Sequence, residues 1–351
     1  MPSYEVFNKN KINVLRRLAE KAYEGSVDSN TPNDIANELF PGHKPEYRCC
    51  VYKEREIIRQ RTNLAMGHKP DGHEITSGQM VYVIEAACDD CDIHKVRITD
   101  NCRKCLFKPC QSACHFGAIF QGNSKMHIDY SKCKTCGMCA KVCAYGAILI
   151  SERPCKRSCP TGALKHFTDE IAFINEPECI SCGRCAASCP FGAISEVSYL
   201  VPVIDAIKQE GKKVVAMVAP AVMGQFGKCT LNQVYSAIKA LGFDEVVEVA
   251  KGADLTTVSE AEEALKAKAE GRKLTTSCCP AFVELIKMKF PKVYAENTSD
   301  TLSPMAITAR MVKKENPDCV TVFVGPCVAK KKEITLEKNK GFVDYVMTFE
   351  E

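Results

Sequence analysis

The chain has 351 residues, 46% of them hydrophobic, which is enough for two or three domains with a packed core. Its 47 basic and 43 acidic residues nearly cancel, so composition gives no reason to expect a nucleic-acid or anionic-membrane partner. No stretch is apolar for the length of a membrane span, and the N-terminus lacks the apolar core of a signal peptide. We therefore expect a cytoplasmic globular protein, in which 23 reduced cysteines favour metal over disulfides.

The cysteines divide the chain into three regions. Residues 1–80 hold two of them, residues 81–199 hold sixteen and residues 200–351 hold five. In the first region, "INVLRRLAEKAY" and "YKEREIIRQRTNLAMG" have the apolar spacing of amphipathic helices, and the second ends at a glycine. We predict a helical cap that packs on the rest of the chain. Cys49 and Cys50 have no third cysteine near them, so we predict buried thiols.

The middle region contains an internal repeat. The segments "CKTCGMCAKVCAYGAI" and "CISCGRCAASCPFGAI" are both C-x2-C-x2-C-x3-C runs followed by a small turn. Three cysteines on one tight loop hold three corners of a [4Fe–4S] cube, and in two-cluster ferredoxins the fourth cysteine binds the other cube. The repeat therefore predicts ferredoxin-like modules.

Two degenerate copies, "CRKCLFKPCQSACHFGAI" and "PCKRSCPTGAL", complete the pairing. With the crossed fourth cysteine, and with the C-x2-C of "ACDDCDIHK" added, sixteen cysteines form four sets of four. The predicted sets are A (Cys102, Cys105, Cys110 and Cys143), B (Cys114, Cys133, Cys136 and Cys139), C (Cys88, Cys91, Cys155 and Cys189) and D (Cys159, Cys179, Cys182 and Cys185). Each set would bind one [4Fe–4S] cluster, about four in all.

A zinc site is the alternative for part of this region. The spacing C-x2-C-x10-C-x2-C, formed by Cys88, Cys91, Cys102 and Cys105, is also that of a zinc ribbon. It would leave the other members of sets A and C without complete sites. Iron and zinc analysis of anaerobically purified protein separates the two hypotheses.

The third region has an α/β pattern. We predict strands at "KKVVAMVAP", "DEVVEVA", "KLTTSCCP" and "CVTVFVGPC", and helices at "LNQVYSAIKALGF", "TTVSEAEEALKAKAEG", "AFVELIKMKF" and "SPMAITARMVKKE". Three unusual stretches, "VAPAV", "TSCCPAF" and "FVGPCVAKKKE", follow predicted strands. Open α/β sheets build their sites at the carboxyl ends of the strands, so we expect the site there.

These stretches resemble the [FeFe]-hydrogenases. "TSCCPAF" and "GPCVAKKKE" are similar to the first two of the family's three active-site motifs, "GADLTTVSEAEEAL" resembles the segment before the first, and "RCCVYKEREIIRQR" resembles its clostridial-type branch. The resemblance implies an H-cluster, in which a [4Fe–4S] cube is joined to a two-iron unit that interconverts protons and H2. It also implies ferredoxin or a similar electron carrier, and hydrogenase maturation proteins, as partners.

The resemblance assigns roles to nine residues. Adjacent side chains of an extended segment point to opposite faces, so neighbouring cysteines are expected to do different work. The implied cubane ligands are Cys279 and Cys327, and the implied pocket residues are Ala219 and Pro220. The implied proton donor is Cys278, with a relay through Glu260, Ser299 and Glu263, and Lys330 would donate to a cyanide ligand. Apart from the resemblance, an exposed helix face for the two glutamates and solvated surface for the lysine run would be the ordinary expectation.

The family's third motif does not follow "FVDYVMTFEE", where we expect a new helix, so we expect a fragment of a longer hydrogenase. Cys229 and Cys319 lack ligand spacing and are expected to be buried thiols. The predicted fold is multidomain α+β, with a helical cap (1–80), ferredoxin-like modules (81–199) and the first part of an α/β hydrogenase catalytic domain (200–351). The expected function is that of a ferredoxin-linked [FeFe]-hydrogenase; a non-catalytic electron carrier or H2-sensing protein is the alternative.

Overall fold

The computed structural model describes residues 2–88, 91, 94–166 and 171–351, with side chains from residue 9 onward. Its helices are α1 Pro2–Glu24, α2 Thr31–Leu39, α3 Val51–Ala65, α4 Pro109–Ser112, α5 Met138–Lys141, α6 Pro154–Ser158, α7 Arg184–Ser188, α8 Leu200–Lys208, α9 Leu231–Ala240, α10 Ala250–Ala269, α11 Pro280–Lys289, α12 Pro291–Asn297, α13 Pro304–Glu315 and α14 Ala329–Glu333. Its strands are β1 Val81–Val83, β2 Val96–Ile98, β3 Ile119–Gln121, β4 Met126–Ile128, β5 Ile148–Ile150, β6 Leu164–His166, β7 Ala172–Ile174, β8 Ile194–Glu196, β9 Val214–Val218, β10 Glu245–Glu248, β11 Val320–Gly325 and β12 Tyr345–Thr348.

The N-terminal helices pack together and against α8. Their shared core includes Val14 and Leu18 of α1, Ile35 of α2, Ile58 of α3 and Leu200 of α8, all buried. The two helices predicted for this region are confirmed. The helical cap therefore joins the third region through α8, while the exact boundaries between regions stay a prediction.

Small antiparallel hairpins build the middle region. β2 pairs with β5, β3 with β4 and β6 with β7, and β1 pairs with β8 across the whole region. The short helices α4, α5, α6 and α7 each carry cysteines between these strands. The repeat seen in the sequence is thus a repeat of loop, short helix and hairpin strand.

A four-stranded parallel sheet forms the centre of the third region, in the order β10-β9-β11-β12. β9 is buried along its whole length, because it lies between two strands and has a hydrophobic cluster on each face. β9 and β11 are parallel neighbours, so Ala219, which follows β9, and Gly325, which ends β11, lie at the same edge of the sheet. A Cβ on Gly325 would be 3.2 Å from the Cβ of Ala219, which shows how closely the two strand ends approach.

Two secondary-structure predictions are wrong. The segment 273–280 is not a strand: its backbone makes one isolated parallel bridge, Thr275 to Thr298, and Pro280 then begins α11. The segment 342–351 does not begin a helix but contains β12, which pairs with β11 and buries Val346. The open edge of β11 supplies the hydrogen-bond partners, and this edge is not visible in the local sequence.

Within the described residues, no helix combines the length and the apolar character needed to cross a membrane.

Candidate functional site

The cysteine-rich loops share one backbone conformation. The residue just before the second cysteine of a C-x2-C pair has a positive φ in three loops, at Lys104 (51°), Thr135 (51°) and Ser181 (53°). Non-glycine residues rarely adopt this conformation, so the surrounding loop must hold it in place. The result is a tight bend between the two cysteines of each pair.

Sets A and B each line one cavity in the first module. The four cysteines of set A line their cavity together with Ile98, Met126 and Ile148. The four cysteines of set B line a second cavity together with apolar side chains. Burial, and then the neighbouring thiolates Cys102 and Cys143, raise the pKa of Cys110. Each predicted group of four is brought together around its own cavity.

Sets C and D lie together in the second module. Set D lines one cavity with Val81, Leu164 and Ile174. Burial, and then the thiolates of Cys189, Cys91 and Cys88, raise the pKa of Cys155 to about 11, so the four members of set C are also neighbours. Cys88 and Cys91 therefore face the second module. Cys102 and Cys105 lie with the other two cysteines of set A and do not need them to form a group of four.

Backbone amides point at the fourth cysteine of three runs, the cysteine that is predicted to bind the other cube. The amides of Ala118, Ala147 and Ala193 each lie 3.4 Å from the Sγ of the cysteine four residues earlier, in sets B, A and C respectively. These alanines belong to the repeated "GAI" turn, so one turn serves three sets. N–H donors to thiolate sulfur stabilise its negative charge and tune the reduction potential of a bound cluster.

No three Cys, His, Asp or Glu side chains among the described residues converge on a point where a single ion could sit. Thiolates that hold one zinc lie within about 4 Å of each other, because each Zn–S bond is about 2.3 Å. Thiolates around an iron–sulfur cube are spaced more widely. The donor chemistry of the four sets, thiols alone with apolar walls, fits a cube better than one zinc ion.

A third group of cysteines lies where three segments meet. These are the loop after β9, the loop after β11 and the segment that follows residue 277. Burial raises the pKa of Cys327, the amides of Lys330 and Ala329 oppose the rise, and the thiolate of Cys279 adds to it. Cys279 has an extended backbone (φ −101°, ψ 106°) and caps α11. The structure thus brings Cys279 and Cys327 together, with Cys278 beside them.

Lys330 is buried at this site rather than solvated. It is 8% exposed, and its Nζ donates to the carbonyl oxygen of Cys278 at 3.2 Å and to Glu333 at 2.5 Å. Glu333 was not identified from the sequence, although its spacing three residues after a lysine was a usable signal. The pair fixes a positive charge against the backbone of the cysteine segment.

The two glutamates of α10 each meet a hydroxyl group. Glu260 accepts from Thr276 Oγ1 at 2.7 Å and from the amide of Ser277 at 3.2 Å. Burial alone would raise the pKa of Glu263, but hydrogen bonds from Ser299 and Thr301 hold it below its usual range. The expectation of a merely exposed helix face does not describe these carboxylates.

Thr301 and Ser259 are the residues that sequence analysis missed here. Thr301 Oγ1 donates to Glu263 at 2.7 Å and contacts the hydroxyl of Ser259 at 2.9 Å. Its amide donates to Ser299 Oγ at 3.1 Å. Thr301 therefore links Ser299 to Glu263, and only the packing of the loop on α10 reveals it.

Ala219 and Pro220 follow β9. Ala219 is buried in the core of the sheet, whereas Pro220 is exposed at the start of the next turn. The structure places Ala219 against Gly325, next to the loop that carries Cys327.

Three cysteine predictions are wrong. Cys49 and Cys229 are exposed, and Cys50 is half-buried, so none of the three is a buried thiol. Cys49 and Cys50 lie in the irregular segment before α3, and Cys229 lies in the turn before α9, where no element covers them. Cys319 is buried as predicted.

The cysteine sets form a continuous series toward Cys327. Sets A and B share one hydrophobic cluster, and sets C and D share another. His94, three residues after Cys91 of set C, stacks on Tyr130, three residues before Cys133 of set B, which connects set C to the first module. Val328, next to Cys327, packs in the cluster of sets C and D, and a Cβ on Gly183 would be 3.3 Å from its side chain. Set D therefore adjoins the Cys279–Cys327 site.

Comparison with known proteins agrees with this arrangement. Residues 212–351 match the family described as "Iron only hydrogenase large subunit, C-terminal domain". Residues 150–200 match "LdpA Fe-S cluster-binding domain", and residues 125–148 match "4Fe-4S binding domain".

Three curated relatives are informative. Iron hydrogenase 1 of Clostridium pasteurianum is 30% identical over 236 residues, which cover 61% of this chain and 40% of the relative. The NADP-reducing hydrogenase subunit HndD of Solidesulfovibrio fructosivorans is 28% identical over 278 residues, covering 68% and 39%. Electron transport protein HydN of Escherichia coli K12 is 34% identical over 61 residues, covering 17% and 35%. The chain spans about two fifths of the length of the two hydrogenase relatives.

The chain thus combines segments that match iron–sulfur cluster-binding domains with a segment that matches the C-terminal domain of iron-only hydrogenases. It is homologous, at modest identity, to the clostridial iron hydrogenase and to HndD. The resemblance inferred from the motifs is confirmed.

Proposed function

We propose that this chain carries electrons and protons for a cytoplasmic, ferredoxin-dependent [FeFe]-hydrogenase, with the reaction 2H+ + 2e− ⇌ H2. The observation that carries the proposal is the series of cysteine sets that ends beside Cys279 and Cys327. Ferredoxin or a similar carrier would supply the electrons, and maturation proteins would install the two-iron unit.

The donor sets fit the clusters proposed for them. A [4Fe–4S] cube takes four thiolates, and each of sets A to D offers four thiols around an apolar space. Cys279 and Cys327 would supply two ligands to the cube of the H-cluster. When bound, the H-cluster supplies the iron chemistry that joins two electrons and two protons into H2.

The residues around Cys278 would move the protons. A thiol suits this role, because its ordinary pKa of about 8.5 is close to neutrality. The amide of Cys278 donates to Thr276 Oγ1, whose hydroxyl in turn donates to Glu260. From Glu260 the proton would pass to Ser299 and then to Glu263, which Thr301 holds in place.

Lys330 would serve the site by its charge. Its ammonium group is buried, it is held by Glu333, and it lies on the carbonyl side of Cys278. A buried positive charge stabilises negative charge nearby, and an anionic cyanide ligand is the group we propose it contacts.

A second candidate function is that of an electron carrier without H2 chemistry. It is favoured by one observation: sets A to D each have four cysteines, whereas the Cys279–Cys327 site has two ligands from this chain. The similarity of 61 residues of the chain to an electron transport protein favours the same function.

One experiment separates the two functions. The chain is produced anaerobically with maturation proteins, and iron content, electron paramagnetic resonance and H2 evolution from a reduced viologen are measured. We expect about sixteen irons in sets A to D. In a chain that also carries the family's third motif, Cys278→Ala should keep its iron and lower H2 evolution about a hundredfold or more, because it removes the proton donor but no ligand.

Two variants complete the design. Cys279→Ala is expected to lose the site itself, and Cys229→Ala, an exposed cysteine outside every set, is the matched control with unchanged activity. Full iron content without H2 evolution in the parent would favour the carrier. Equal H2 evolution in Cys278→Ala and the parent would exclude the proton-donor role.

A further inference from the structure

Two large apolar side chains project from the first module into solvent. Leu106 is 88% exposed and Phe107 is 89% exposed, in the widened gap between Cys105 and Cys110 of set A. Exposed apolar groups of this size, when they occur together, mark interaction surfaces, because covering them releases ordered water. We call Leu106 and Phe107 the apolar tip.

The tip belongs to the loop that joins Cys105 to Cys110 of set A. Lys104 and Lys108, which flank it, both have positive φ (51° and 43°), so the loop is held in a specific bend and is not an extended connection. Arg103, Lys108 and the exposed ring of Tyr145 line the same cavity as the four thiols. A protein that covers the tip therefore sits against a cluster bound by set A.

Set A is also the far end of the series. His94, three residues after Cys91, stacks on Tyr130, three residues before Cys133, with the ring centroids 3.4 Å apart. This stacking places set B on the side of set C, and set D is the set that adjoins Cys327. Electrons that enter the series at its outer end enter at set A.

The surroundings of the tip are strongly basic. Residues 94–151 contain nine Lys and Arg but two Asp and Glu, so this stretch is more positive than the whole chain, whose net charge is +4. Basic surfaces attract acidic partners and raise the rate of their association. A second copy of the chain would bring two basic surfaces together, which is unfavourable.

We propose that the apolar tip and its basic surroundings are the docking surface for a small acidic one-electron carrier protein. This inference rests on the proposed function insofar as set A binds a redox cluster. In the docked complex one electron leaves the reduced centre of the carrier and reduces the cluster of set A by one electron, and the reverse transfer reoxidises it. The two apolar side chains fix the contact, and the charge directs the approach.

The test measures electron entry and not H2. The cluster-loaded chain is mixed with a reduced, acidic two-cluster bacterial ferredoxin in a stopped-flow instrument, and cluster reduction is followed by absorbance. For Leu106→Ser/Phe107→Ser we expect a fall of about tenfold in the second-order rate constant, the equivalent of about 1.4 kcal/mol. The rate for the parent should fall as salt is added. Reduction by dithionite, which needs no docking, should be unchanged.

Leu265→Ser is the matched control, because Leu265 is 70% exposed beside a lysine on α10, far along the chain from set A. Its ferredoxin rate should equal that of the parent. An unchanged rate in the double variant, an equal loss in Leu265→Ser, or a rate that rises with salt would overturn the proposal. So would conversion of a dimeric parent to a monomeric variant with the ferredoxin rate intact. Tip-dependent reduction without H2 evolution would support this surface while refuting the hydrogenase activity.

Discussion

At the scale of single residues, the run Lys330-Lys331-Lys332 shows that the fold can bury charged groups that the sequence predicts to be solvated. A lysine run is ordinarily solvated surface, yet Lys331 is fully buried and its Nζ donates to the carbonyl oxygen of Val197 and to Glu351. Lys332 reaches the carbonyl oxygen of Cys179 at 3.1 Å. The three lysines thus connect the cysteine site to the second module.

The buried ion pair Lys330–Glu333 of α14 gives a direct test of the effect of burial. Glu333→Gln should lower the free energy of unfolding by about 3 kcal/mol, because Lys330 would keep a buried charge without its partner. Glu337→Gln removes an exposed pair of the same spacing, with Lys340, and should cost less than about 1 kcal/mol. Guanidinium unfolding at neutral pH, followed by circular dichroism, measures both. Equal losses would contradict the role of burial.

At the scale of elements, the proposed relay depends on how α10 packs on α13. Gly252 of α10 is buried where a Cβ would lie 2.2 Å from Thr308 Oγ1 and 2.6 Å from the carbonyl oxygen of Pro304. The absence of a side chain lets the two helices approach. The close approach sets the position of Glu260 and Glu263 relative to the loop that carries Thr301.

Gly252→Ala sets two effects against each other. Alanine favours a helix over glycine by about 1 kcal/mol, but overpacking a close contact costs about 1–3 kcal/mol, and here the contacted oxygen belongs to the backbone. We expect a net loss of about 1 kcal/mol or more in the free energy of unfolding. Lys251→Ala, exposed on the preceding position, should be nearly neutral. A more stable Gly252→Ala variant would show that the helices separate easily.

At the scale of the whole molecule, buried charges join distant parts of the chain. Lys11 of α1 donates to Glu196 of β8 at 2.7 Å. Burial alone would raise the pKa of Glu196, but the ammonium groups of Lys11 and Lys331 outweigh it and lower the pKa to about 2. One carboxylate therefore ties the N-terminal helix, the end of the middle region and α14 to one another.

The depressed pKa predicts a pH dependence. An ordinary Glu titrates near 4.3, so the stabilising contribution of Glu196 is complete above that pH and is lost as the pH falls through about 2. At neutral pH, Glu196→Gln should cost about 3 kcal/mol. The difference in unfolding midpoint between parent and variant should be constant from neutral pH down to about 4.5, and should shrink in more acid solution. A difference that grows with acidification would contradict this assignment.

The sequence by itself determined the parts whose chemistry is local. The spacing of cysteines in one tight loop restricts which of them can hold one cube, so all four sets were predicted by number, and the structure brings each set together. The strands β9, β10 and β11 and the helices around them were predicted for the same reason, because their apolar period is a property of the segment itself.

The tertiary structure decided what depends on partners from elsewhere in the chain. Segment 273–280 has the residues of a strand but forms a single isolated bridge, to Thr298, whereas β12 forms because β11 has an open edge. Thr301 reaches Glu263 because its loop packs on α10, and Glu333 pairs with Lys330 because both are buried. Hydrogen bonding and burial depend on which groups meet across long separations in the chain, and no local pattern specifies those meetings.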